Sequence, residues 1–97
     1  MKCIVIRKND IDFLLSNFSN PKLKREFFRL VEEQDQLAGN RKSLVYEFSL
    51  TEVVIEYILD ELSDLLILKG FDSNDDLNSM GSYIEGLIDQ FSSIYYD

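Results

Sequence analysis

Residues 43–70 read SLVYEFSLTEVVIEYILDELSDLLILKG. Two periods meet in this stretch, and the point where one replaces the other decides the fold. From Ser43 to Phe48, Leu44, Tyr46 and Phe48 alternate with Val45 and Glu47. That is the two-residue period of a strand. Further on, Val54, Ile55, Ile58, Leu62, Leu65 and Leu66 recur three and four apart, as on the core stripe of a helix. Ser49 and Glu52 match an S-x-x-E capping box, with Phe48 and Val53 placed as its hydrophobic staple. The spacing therefore predicts a helix from Leu50 to about Leu68, ended by Gly70. Were VYEF to join a helix instead, the chain would be an all-α bundle.

Working outward toward the N-terminus, Lys2–Arg7 (KCIVIR) is short and β-branched, a second strand suited to pair with SLVYEF. Asp10 is placed to cap a short helix running to about Phe18. Asn20-Pro21 is a helix start, a capping side chain followed by proline at the first helical position. From Pro21 to Leu37, the residues Leu23, Phe27, Leu30 and Val31 share one face, and Gly39 suits a left-handed C-cap. Toward the C-terminus, Asp72–Asp76 (DSNDD) reads as a turn. A last helix, from about Leu77 to Tyr95, carries Leu77, Met80, Ile84, Leu87, Ile88, Phe91 and Tyr95 as a core stripe. Its opposite face is small and polar: Ser79, Ser82, Glu85, Gly86, Asp89 and Ser93. The expected architecture is a single α+β domain over residues 1–97, predominantly helical, with a two-stranded β-ribbon, three longer helices and a short one.

Composition narrows the function. The chain has 97 residues, 45% of them hydrophobic, with seven Phe and five Tyr, enough for one modest core without disulfides or metal. Cys3 is the single cysteine and is expected to be a small buried hydrophobe. The apolar stretch after Lys2 is too short for a signal peptide, and no run approaches the roughly 18 residues of a membrane span. A cytoplasmic location follows as the expectation. There is no histidine, and no G-x-S-x-G, P-loop or G-x-G-x-x-G motif occurs. Carboxylates alone, without a pocket to shift a pKa, do not make an acid–base pair. No enzyme, no cofactor and no metal site are expected. Asp72, Asn74 and Asp76 imitate the start of an EF-hand loop, but Leu77 stands where that loop needs glycine and Tyr83 where it needs glutamate.

Charge is the most telling feature. Through Lys42 there are nine basic and six acidic residues; from Ser43 onward there are twelve acidic residues and only Lys69 as a base. The overall charge of −8 repels nucleic acid and anionic membrane, and draws in a basic partner. Glu52, Glu56, Asp60 and Asp64 recur every four residues along one flank of the predicted helix. Like charges at that spacing destabilise a helix by roughly 0.2–0.5 kcal/mol per pair. Val53, Tyr57 and Ile67 point toward the same flank, which suits a docking surface where charge steers and apolar groups anchor. Lys22, Arg25 and Arg29 could instead neutralise the flank from within. Some of those charges have nearer partners, as in Lys22–Glu26, Arg29–Glu33 and Arg29–Glu32.

Residues 60–91, DELSDLLILKGFDSNDDLNSMGSYIEGLIDQF, resemble small bacterial immunity proteins, the cytoplasmic partners of contact-dependent inhibition toxins and related polymorphic toxins. The likeness lies in the leucine-rich acidic helix, Gly70-Phe71-Asp72, the acidic turn, Gly81, Ile84-Glu85 and Leu87-Ile88-Asp89, about a third of the chain. It implies a protein that binds and neutralises a cognate toxin domain, commonly a basic nuclease. The partner-binding residues expected on both grounds are Glu52, Glu56, Tyr57, Asp60, Asp64, Asp72, Asp75, Asp76, Glu85 and Asp89. A DNA-mimicking anti-restriction or regulatory protein that binds a basic partner is the alternative. An antitoxin that also grips its operator would need a basic recognition helix, for which only Lys22–Arg29 would serve.

Overall fold

The computed structural model describes residues 1–39 and 44–96. It has the element order β1 (Lys2–Arg7), α1 (Lys8–Asn17), α2 (Pro21–Ala38), β2 (Val45–Leu50), α3 (Glu52–Lys69) and α4 (Ser79–Tyr95). The fold is α+β and mainly helical, and its sheet is a two-stranded antiparallel ribbon of β1 and β2. The VYEF segment is strand, so the all-α alternative falls. The chain divides into two compact units, Cys3–Leu50 and Thr51–Asp97.

The first unit is built on aromatic residues. In β1, Ile4 and Ile6 are buried; in β2, Tyr46, Phe48 and Leu50 are. The strict alternation turns Cys3 outward. It is exposed, with its Sγ 3.5 Å from Ser49 Oγ across the ribbon, and is not the buried hydrophobe expected. Leu44 is likewise exposed, at 78%, because the strand begins one residue after it; Ser43 lies outside the described residues. The Phe27 ring, on α2, meets Phe18 and Phe48 edge-to-face, both at 5.5 Å between centroids. The Tyr46 hydroxyl donates to Asp35 at 2.8 Å, and burial together with that carboxylate raises its pKa. The Gln34 side-chain amide donates to the Glu47 carbonyl and accepts from the Glu47 N–H at 3.2 Å. One side chain thus satisfies both main-chain groups of Glu47 on the edge of the ribbon.

Helix starts show where the sequence signals act. Asn20 caps α2 as expected, its Oδ1 accepting from Lys22 N at 3.0 Å and Leu23 N at 3.4 Å, with Pro21 in the first turn. Leu23 and Phe27 are buried, Leu30 and Val31 half-buried, and Gly39 ends the helix at φ +69°. Asp10 is not a cap. α1 begins at Lys8, whose N–H is bonded to the Leu44 carbonyl at 2.9 Å, so the ribbon satisfies the amide that a cap would have. Asp10, 3% exposed, takes Arg7 Nε at 3.2 Å instead. The capping box at Ser49 also fails. Pairing with β1 keeps Ser49 in β2, and Thr51 becomes the cap, its Oγ1 accepting from Val54 N at 3.3 Å. Val53 is exposed and forms no staple.

The second unit consists of α3 and α4, which pack on each other. Ile55, Ile58, Leu62 and Leu65 of α3 and Ile84, Leu87 and Phe91 of α4 are buried. The junction of the two helices is tied by one residue. Asn78 caps α4 through Gly81 N at 2.8 Å, its Nδ2 donates to the Lys69 carbonyl at 2.9 Å, and its N–H donates to the Gly70 carbonyl, also at 2.9 Å. Gly81 lies against Gly70: a Cβ there would stand 2.2 Å from the Gly70 carbonyl oxygen. Gly70 itself has φ −86° and caps α3 without a left-handed turn. Because α4 starts at Ser79, Leu77 and Met80 lie before and in its first turn and are exposed, not in the core stripe; Ile88 and Tyr95 are half-buried. Among the described residues no helix is long and apolar enough to cross a membrane.

Candidate functional site

All ten residues expected to bind a partner belong to the second unit, and all ten are exposed. They fall into three groups. The first is the α3 flank. α3 forms because its buried stripe of Ile55, Ile58, Leu62 and Leu65 repeats every three or four residues, which leaves Glu52, Glu56, Asp60 and Asp64 on the far side. Over twelve residues the ladder climbs about 18 Å and winds through about 120°. Val53, Tyr57 (51% exposed) and Ile67 stand between the acids, together with Leu68, which the sequence reading overlooked. Among the described residues of the second unit no lysine or arginine forms an ion pair with the four acids. On α2, Arg29 is held by Glu26 at 2.5 Å and Glu33 at 2.6 Å on its own helix. Glu26 takes the place expected for Glu32.

One acid of the ladder is engaged. The Tyr95 hydroxyl donates a short hydrogen bond to Glu56 Oε1. That bond, reinforced by desolvation and by the charges of Glu56 and Glu52, pushes the Tyr95 pKa up to about 12. The contact joins the start of α3 to the end of α4, as Asn78 joins the end of α3 to the start of α4, so the two helices run antiparallel. No sequence signal marks a pair 39 positions apart.

The second group is the turn Asp72–Asp76. Phe71 and Leu77 form an antiparallel bridge at its base. Asp72 Oδ1 accepts from Asn74 N at 2.9 Å and Asp76 N at 3.1 Å, while Asp75 takes a left-handed conformation at φ +62° that Asp tolerates better than most residues. Asp72 is thus spent on shaping the loop, whereas Asp75 and Asp76 point charge outward from it. Phe71 and Leu77, side by side and partly exposed, give this group its own apolar patch. The third group, Glu85 and Asp89, lies one turn apart on the outer face of α4, beside Ser82, Gly86 and Ser93. Among the described residues no three His, Cys, Asp or Glu side chains converge as a metal site. The arrangement is a broad acidic surface studded with isolated apolar side chains. It can attract and hold a cationic surface. No protein-family model, curated protein or solved structure matches the chain.

Proposed function

We propose that this protein is an immunity-type inhibitor that acts in the bacterial cytoplasm by binding a basic toxin domain through the acidic surface of its second unit. The observation that carries the reading is the α3 ladder. Glu52, Glu56, Asp60 and Asp64 stand in solvent, in no ion pair with a described residue of the second unit, interleaved with Val53, Tyr57, Ile67 and Leu68. Such a ladder weakens its own helix. Its use is outward, where carboxylates steer a basic surface into place and Tyr57 anchors it.

The test replaces Glu56, Asp60 and Asp64 together by lysine and co-expresses the variant with a basic toxin domain against which the native chain protects. The variant should fold, because exposed positions contribute little to stability. It should lose protection, since like charges brought face to face cost several kcal/mol, a loss of roughly 100-fold or more in affinity. A folded triple variant that protects as well as the native chain would move the interface to the Asp72–Asp76 turn or to Glu85 and Asp89, or remove the reading altogether.

A further inference from the structure

The first unit carries a surface of the opposite character. Between α1 and the first turns of α2 lies a groove of about 480 Å³, lined by Leu15, Pro21, Lys24, Arg25 and Phe28. Pro21, Lys24, Arg25 and Phe28 follow the i, i+3, i+4, i+7 rule and so share one side of α2. The groove walls are almost wholly apolar, and Phe28 is 55% exposed, a large ring left in water. Arg25 also borders a neighbouring hollow of about 310 Å³ with Lys22, Glu26 and Arg29. Arg29 is neutralised by Glu26 and Glu33, whereas Lys22, Lys24 and Arg25 pair with no carboxylate among the described residues. A groove lined by an aromatic ring is thus rimmed by two cations, Lys24 and Arg25, in no ion pair with a described residue, and Lys22 stands at the neighbouring hollow.

We propose that this groove docks a short acidic segment of a partner protein. One phenylalanine or leucine side chain of that segment lies against Phe28 and Leu15, and the carboxylates flanking it meet Lys24 and Arg25. Complementarity of charge sets the sign of the occupant, and the exposed ring sets its apolar centre. A nucleic acid fits less well: Glu26, Glu32 and Glu33 share the helix, and the net charge of −8 repels a long polyanion before contact. A segment with two or three carboxylates meets the local cations at a far smaller penalty, because the repulsion scales with the charge it carries. The proposal stands on the first unit alone and does not depend on the reading of α3.

The probe is a synthetic hexapeptide, SDFDLD, acetylated at its N-terminus and amidated at its C-terminus so that it carries three carboxylates, titrated into the isotope-labelled full chain and followed by backbone amide chemical shifts. Shifts should be confined to the neighbourhood of Leu15, Lys24, Arg25 and Phe28. Lys24→Glu with Arg25→Glu should weaken binding by roughly ten-fold or more, and Phe28→Ala by roughly five-fold. Melting temperatures should stay unchanged in both, because these side chains are exposed. Three results would overturn the proposal: no groove resonance moving at millimolar peptide, equal binding by a peptide with lysine at every aspartate, or a double-stranded oligonucleotide binding the same residues more tightly than the peptide.

Discussion

In α2, Arg29 reaches one turn back to Glu26 and one turn forward to Glu33, and its pKa rises through these bonds, the one to Glu26 first. In α3, four carboxylates follow one another at i+4 spacing and the only cation of the helix, Lys69, waits in the last turn. The first pattern interleaves signs and supports its own helix. The second opposes its own helix, so α3 depends on the burial of Ile55, Ile58, Leu62 and Leu65 for its stability. The contrast separates charge that serves folding from charge that is free for something else. Only the α3 surface meets the second description with four acids in a row, and so it bears the proposed interface.

The comparison breaks most readily in the cores. If α3 and α4 depend on burial, Phe91→Ala should lower stability by roughly 3–5 kcal/mol, a large share of the roughly 5–15 kcal/mol typical of a domain. Phe27→Ala in the first unit should fall at the upper end of the same range. It also loses two edge-to-face ring contacts, each worth roughly 0.5–1.5 kcal/mol beyond area. Urea unfolding reads both as a drop in midpoint at unchanged slope. A native midpoint for Phe91→Ala would mean that α4 turns its apolar stripe to solvent or to a partner.

How much of this was legible in the sequence varies with the range of the interaction. The period change near Ser49 placed strand before helix, because alternation and the three-four stripe are local properties of the chain. Asn20-Pro21 was legible for the same reason, with donor and acceptor two and three residues apart. Ser49 and Asp10 were misread because a distant strand intervened. Pairing with β1 retains Ser49, and the Leu44 carbonyl satisfies Lys8 N–H, so in each case the local signal was overruled by a hydrogen bond from elsewhere. Exposure of Glu52, Glu56, Tyr57, Asp60, Asp64, Glu85 and Asp89 followed from helical phase, and that of Asp72, Asp75 and Asp76 from their place in a polar turn. Their division into three groups, and the Tyr95–Glu56 bond, needed the packing of α4 on α3.

That bond offers a sharper view of the α3 flank, through pH. The folded-state pKa of Tyr95 lies above the ordinary value of 10, at about 12, so the native state holds this proton more tightly than the unfolded chain. The bond's contribution is intact below pH 10 and fades as pH climbs from about 10 through about 12. A spectrophotometric titration of the tyrosines should therefore show a late step that shrinks in Tyr95→Phe. In Glu56→Gln, which cannot offer the charged acceptor, the Tyr95 part of the step should move back toward 10. Tyr46, whose pKa is raised by burial and by Asp35, keeps its own delayed titration in both variants, so the readout is the loss of one tyrosine from the late step; a late step of undiminished amplitude in both would detach Tyr95 from the acid ladder.

The smallest effect tests the contrast most directly, because it asks each helix about its own charges. Asp60 has Glu56 four residues before it and Asp64 four after, much as Arg29 has Glu26 three before and Glu33 four after. Asp60→Lys turns two repulsions into two attractions and should raise the urea midpoint, stabilising the fold by roughly 0.2–0.5 kcal/mol for each repulsion removed and about as much for each attraction gained. Arg29→Ala removes two attractions and leaves Glu26 and Glu33 facing each other, so its midpoint should fall. Both shifts should shrink in 1 M salt, where the screening length drops to about 3 Å. The signs matter more than the sizes. A stabilised Asp60→Lys means that the native aspartate is held against the interest of its helix, as a residue kept for a partner would be. A destabilised one would show the carboxylate in use within the fold, and the α3 flank would then be structural in the same sense as the α2 pairs.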